Sequence, residues 1–193
     1  MKIVILKYNA GNIRSVTFAL ERIGVSPIVT GDIDEIQSAD KVIFPGVGEA
    51  SSAMHFLKEQ KLDKVITDLK QPVLGICLGM QLMCNFSEEG NTNCLGIFDQ
   101  KVSKFSHTNK VPQIGWNNIF DLSSNIFDHV NENEYMYFVH GYFVEVGSNT
   151  ISKTNYGIDY SSALKKDNFY GVQFHPEKSG DAGQKILENF LSL

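Results

Sequence analysis

Cysteine is scarce in this chain. Cys77, Cys84 and Cys94 are the only three, they cannot all pair, and no CxxC spacing occurs. That argues against a disulfide framework or a zinc site and makes a reducing cytosol the expected setting. Long apolar runs are missing as well. Ile3-Val4-Ile5-Leu6 is closed by Lys7, too short for a secretion signal or a membrane span. Positive charge falls short of negative, 17 Lys and Arg against 22 Asp and Glu, leaving a net charge of −5. A general nucleic-acid or anionic-membrane binder is therefore not expected. There is no internal repeat, no low-complexity tract and no Pro/Ser-rich linker.

What is present suits an ordinary globular protein: 42% hydrophobic and 20% charged residues over a length that fills one domain, residues 1–193. The first half alternates strand-like and helix-like segments. Ile3–Leu6 is followed by a helical pattern over residues 12–23, with Ile13, Val16, Leu20 and Ile23 at near-helical spacing and Gly24 as a stop. Residues 25–29 and 42–44 read as strands. Pro45-Gly46-Val47-Gly48 then opens one helix carrying Ala53, Phe56, Leu57, Leu62, Val65, Ile66 and Leu69. Residues 72–76 read as a short buried strand and residues 78–83 as the start of a helix. This alternation predicts an α/β fold with an open, mostly parallel sheet flanked by helices. Beyond Gly96 the pattern becomes short β-like runs, 135–146, 161–164 and 169–174, which predict antiparallel or mixed extensions. A helix over 181–191 closes the chain.

Gly75-Ile76-Cys77-Leu78-Gly79 sets a cysteine at a predicted strand-to-helix corner between two glycines. Such a corner is too tight for side chains at minus two and plus two, and it puts the sulfur where unpaired N–H groups favour thiolate. A buried structural cysteine beside turn glycines is the alternative. A reactive cysteine needs a base and something to orient the base. His55, His107 and His129 read as surface residues, and His140 reads equally as packed or functional. His175 ends a β-like run and precedes Pro176-Glu177. Proline keeps His175 extended, so Glu177, two residues on, is expected on the same side of a strand within reach of the imidazole. The alternative there is a His-Pro turn with a solvated glutamate. Gly46 and Gly48 let backbone N–H groups approach a ligand or developing oxyanion. Gln81 lies one helical turn beyond Cys77 and faces the same pocket. Cys84 and Met80 read as core residues.

These residues resemble the class I (triad) glutamine amidotransferases, which share the cysteine elbow, the later His-x-Glu and the Pro-Gly oxyanion strand in this order. The resemblance covers essentially the whole chain and is closer to the glutaminase subunits of histidine biosynthesis. The residues that carry this are Asn9-Ala10-Gly11-Asn12-Ile13, Pro45-Gly46-Val47-Gly48, Lys110-Val111-Pro112-Gln113-Ile114-Gly115-Trp116-Asn117, Tyr137-Phe138-Val139-His140 and Gln173-Phe174-His175-Pro176-Glu177. It implies a flavodoxin-like core, no cofactor and no metal. It implies Cys77, His175 and Glu177 as a catalytic triad, with the N–H groups of Val47 and Leu78 as the oxyanion site. Gly46, Gly48, Gln81, Glu88, Gly141 and Tyr142 are implied as glutamine contacts. The implied partner is a (βα)8-barrel cyclase in a heterodimer. It takes the ammonia to make imidazole glycerol phosphate and aminoimidazole carboxamide ribotide, with Asn12, Trp116, Asn117 and Tyr137 facing it. Lys7 departs from the acidic residue of many relatives, and Gly141 from a serine or threonine. A glutaminase serving another pathway such as surface-sugar amination, a cysteine hydrolase of related fold, and a catalytically silent module remain the alternatives.

Overall fold

Strand β1 (Ile3–Leu6) buries every side chain, Val4 and Leu6 in one core and Ile3 and Ile5 in another. That is how a strand buried on both faces reads, as a continuous apolar run rather than an alternation. The computed structural model describes residues 1–9, 11–106 and 110–193. After β1 come α1 (Ile13–Arg22), β2 (Ile28–Thr30), α2 (Ile33–Gln37), β3 (Lys41–Gly46), α3 (Ala50–Glu59), α4 (Leu62–Asp68), β4 (Val73–Cys77) and α5 (Leu78–Leu82). The second half holds β5 (Phe86–Ser87), β6 (Thr92–Asn93), β7 (Lys101–Lys104), β8 (Gln113–Asn118), β9 (Tyr135–His140), β10 (Tyr142–Val144), β11 (Thr150–Asn155), β12 (Asp159–Lys166), β13 (Phe169–Val172) and α6 (Gly180–Leu191).

The main sheet runs in the order β2-β1-β3-β4-β13-β12-β10-β7-β5-β6, with β11 against β12. From β2 to β13 it is parallel, and β12, β10 and β7 extend it antiparallel. The parallel α/β sheet with mixed extensions is thus as expected. One core holds Leu57, Leu62 and Ile66 from α3 and α4 against Val4, Phe44 and Val73. The other holds Val16 and Leu20 of α1 and Ile186, Leu187 and Phe190 of α6 against Ile3, Ile43 and Leu74.

Three local readings need correction. The expected single helix after Gly48 is two, because Lys61 takes a left-handed conformation (φ 58°) between α3 and α4. The β-like run over 135–146 divides at Gly141: β9 pairs with β8 in a separate two-stranded sheet, while β10 joins the main one. The strand expected over 25–29 starts later, since the Val25 N–H turns back to the Leu20 carbonyl and extends the end of α1. Ala10 and His107, both part of the sequence reading, lie outside the described residues.

Candidate active site

β4 ends on Cys77, whose φ of 53° and ψ of −110° place it among the few non-glycine residues with positive φ. A residue held there costs on the order of 1–3 kcal/mol, which packing around it must supply. The packing is tight. A Cβ on Gly79 would overlap the Phe44 carbonyl of the neighbouring strand. One on Gly75 would stand 2.8 Å from the Met80 nitrogen and 2.9 Å from the Gly79 carbonyl carbon. The glycines at minus two and plus two are there for the reason the sequence suggested.

β13 lies beside β4 in register, Val172 opposite Ile76, so its continuation carries His175 past Cys77. Pro176–Lys178 then forms a 3-10 turn with proline at its start. This differs from the extended segment expected, yet the turn brings Glu177 Oε1 to 2.8 Å from His175 Nδ1. The pair is deeply buried, with side chains 3% and 1% exposed. The segment is pinned from three sides: the His175 N–H donates to the Tyr137 carbonyl, and Ser179 Oγ donates to the His175 carbonyl and accepts from the Tyr137 N–H. Burial alone lowers the imidazole pKa, but its hydrogen bonds to Cys77 and Glu177 outweigh that and carry it to about 10. The bond to Glu177 thus favours the protonated ring.

A cavity of about 220 Å³ opens above Cys77 and His175. Of the expected residues, Val47, Gly48, Leu78, Gln81, Gly141 and Tyr142 line it with them. Gly46 sits just behind, where a Cβ would meet the Gly79 nitrogen and Tyr8 Oη at 2.7 Å. Glu88 is not among the lining residues. Its carboxylate accepts from Lys101 Nζ and from the Lys104 N–H, both at 2.7 Å, and these hold it below the usual carboxylate range. Its neighbour Glu89 lines the cavity instead. Nothing in Glu88-Glu89-Gly90 as a sequence chooses between the two. The choice is made by the turn at Gly90 (φ 64°) and the bond from the Ala50 N–H to Glu89 Oε2.

The segment over residues 46–48 is tethered at both ends. Tyr8 Oη donates to the Pro45 carbonyl at 2.7 Å, and Glu49 accepts from the Ser51 and Ser52 N–H groups at the start of α3. Leu78 is the first residue of α5, so its N–H has no acceptor within the helix. His140, left open by the sequence, is buried, with Nδ1 2.6 Å from the Tyr142 carbonyl and Nε2 3.2 Å from Tyr160 Oη. Burial pushes its pKa down to about 4, so it is a neutral wall of the cavity. Sequence reasoning gave no role to Gln173, whose amide donates to Cys77 Sγ at 3.6 Å. The signal available was one polar residue inside the apolar run Tyr170–Phe174. Among the described residues no group of three or more His, Cys, Asp or Glu could hold a metal, and no helix is long and apolar enough to cross a membrane.

The second sheet carries three of the four residues expected at a partner, Trp116, Asn117 and Tyr137. In its register Ile114 faces Val139 and Trp116 faces Tyr137. Met136, Phe138 and His140 point inward, whereas Trp116 is 56% exposed and stacks edge-on against Tyr137 at 5.8 Å between ring centroids. Asn117 lies on the same strand, its amide donating to the Asn155 carbonyl. Asn12 stands before α1 and makes no side-chain cap bond. Val139 belongs both to this sheet and to the cavity wall, so the exposed face adjoins the site.

The family model of class-I glutamine amidotransferases matches residues 5–193. The imidazole glycerol phosphate synthase subunit HisH of Bacteroides fragilis is 57% identical over the whole of both chains. The same subunit of Haemophilus influenzae is 46% identical over 99% of this chain and 97% of its own. Among solved structures, a glutamine amidotransferase superposes with a TM-score of 0.77 at 15% identity, covering 100% of this chain and 98% of that one. PurLQS from Thermotoga maritima gives 0.74 at 16% identity over 99% and 97%. At those identities the structures speak for the fold alone. The chain belongs to the class-I glutamine amidotransferase family, among the HisH subunits of imidazole glycerol phosphate synthase.

Proposed function

We propose that this chain hydrolyses glutamine to glutamate and ammonia and hands the ammonia to a synthase partner in histidine biosynthesis. The observation that carries the chemistry is the shared cavity of Cys77, at its strained corner, and the buried His175–Glu177 pair. Cys77 sulfur, its proton on His175, attacks the side-chain amide carbon. The carbonyl oxygen becomes an oxyanion facing the N–H groups of Leu78 and Val47, each good donor contributing about 3 kcal/mol. His175 gives its proton to the amide nitrogen, the C–N bond breaks and ammonia leaves a thioester. Water, deprotonated by His175, then attacks the thioester, releasing glutamate and restoring Cys77. Glu177 holds the ring through Nδ1 and balances its charge. The cavity walls at Gly48, Gln81, Gly141 and Tyr142, with Gly46 behind them, would hold the substrate, and Glu89 replaces Glu88 as the acidic contact.

The partner would be a (βα)8-barrel cyclase seated on the exposed face of β8 and β9, with Trp116 and Tyr137 at the centre, Asn117 beside them and Asn12 contributing from the start of α1. The exposed Trp116, packed on the half-buried Tyr137 next to the cavity, supports this, because such side chains anchor protein interfaces. The names of the full-length relatives supply the synthase. Three free cysteines and an amino-acid biosynthetic role support a cytoplasmic setting. The test is glutamate release with and without the cyclase and its nucleotide ligand. Turnover should rise strongly with both and vanish in Cys77→Ala. Strong partner-independent turnover would contradict the coupling, and turnover that survives in Cys77→Ala would contradict the chemistry.

A further inference from the structure

Besides the imidazole, Cys77 Sγ has two polar neighbours of opposite kind. Its S–H reaches the Val139 carbonyl at 3.7 Å, and Gln173 Nε2 donates to the sulfur at 3.6 Å. Gln173 is fully buried between β13 and His175. Gln81 fixes which end of the Gln173 amide meets the sulfur. Gln81 Nε2 donates to the Tyr142 carbonyl at 3.0 Å and to Gln173 Oε1 at 2.8 Å. Both protons of that amide nitrogen are then committed, and Gln173 must present its oxygen to Gln81 and its NH2 to Cys77. A carbonyl acceptor favours the S–H form of a cysteine, whereas an N–H donor favours the thiolate.

We propose that Gln173 is a further catalytic residue, its amide N–H steadying the Cys77 thiolate once the thiol proton has passed to His175, with Gln81 as the positioning residue. The inference rests on Cys77 being the nucleophile. It also gives Gln81 a task other than touching substrate. The network ends on the Tyr142 carbonyl, so one set of hydrogen bonds joins the cavity wall to the sulfur. Other ionisable groups that face the sulfur are His175 beyond β13, Tyr8 beyond β1 and Tyr160 on β12. His140, Glu89 and Lys178 stand further round the cavity. All six stay in place in the variants below, so a shifted pH midpoint reports the amide.

The test is the pH dependence of Cys77 alkylation by iodoacetamide in the full chain, read at the Cys77 peptide by mass spectrometry. Thiolate displaces iodide, so the rate tracks the thiolate fraction without needing glutamine turnover. Gln173→Met should raise the midpoint by about one unit or more, equivalent to a tenfold slower reaction below it. Gln173→Glu, which keeps the shape but turns a carboxylate toward the sulfur, should raise it further. Gln81→Met should give a smaller rise in the same direction. Where circular dichroism finds Gln173→Met unfolded, the other two variants carry the same prediction. Midpoints within about 0.3 unit of the parent in the folded variants, or a fall, would overturn the proposal. A parent chain that alkylates normally at Cys77 but releases no glutamate would instead overturn the glutaminase reading, so the two failures are distinct.

Discussion

Two corners meet at the site, each at the carboxyl end of a parallel strand, and they hold their residues by different physics. At the first, β4 turns into α5 and Cys77 is forced to positive φ by close backbone packing. At the second, the chain beyond β13 turns at Pro176, and His175 is held by hydrogen bonds to Glu177 and the Tyr137 carbonyl and by one from Ser179 Oγ. The first corner depends on what is missing, side chains on Gly75 and Gly79. The second depends on what is present. A steric corner should fail all at once when volume is added. A hydrogen-bonded corner should keep its shape and lose its chemistry when one partner changes.

The largest effect is therefore expected at Gly79→Ala. Its added carbon overlaps backbone that cannot swing aside, so unfolding in urea should come at least about 3 kcal/mol more easily. A loss of stability under about 1 kcal/mol would mean the corner is looser than its geometry. Next is Glu177→Gln, expected to keep the fold by circular dichroism and to lower stability by less than Gly79→Ala does, while partner-stimulated kcat falls about 100- to 10,000-fold. Equal losses of stability and activity would show the second corner to be steric as well.

The pH dependence separates the corners further. His175 has its folded pKa raised to about 10, above an ordinary unfolded histidine near 6.5. Its stabilising contribution is thus fully present below about pH 6.5 and is lost as pH rises through the folded value. The difference in unfolding free energy between the parent and His175→Gln should shrink as pH rises from 6.5 to 10. A difference that grows over that window would contradict the charged pair. The smallest effect is at Gly141→Ser. A Cβ there meets only Val111 Cγ1 at 3.6 Å, so stability should change by less than about 0.5 kcal/mol and glutaminase activity should persist.

The same contrast explains what could be read in the chain. The steric corner was legible because small residues two before and two after a cysteine, following an apolar strand, have a geometric reason that needs no neighbours in space. The parallel half was legible likewise from its apolar runs, although the break at Lys61 was not, since a left-handed lysine leaves no compositional mark. The His175–Glu177 contact was expected on the assumption of an extended strand, and a 3-10 turn delivers it instead. The separate β8–β9 sheet was hidden because the apolar run continues across Gly141, and only long-range pairing divides it. Glu89 and Gln173 were missed for a related reason. One is selected over Glu88 by a turn and a distant helix start, and the other by the side chain of Gln81 from another element.

The most direct test of the convergence of the two corners is labelling by a glutamine-analogue chloroketone, followed by peptide mass spectrometry. The expected result is a single adduct on Cys77, prevented by glutamine and slowed in His175→Gln, with Cys84 and Cys94 unmodified. Absence of an adduct on Cys77, or one that glutamine does not prevent, would contradict it.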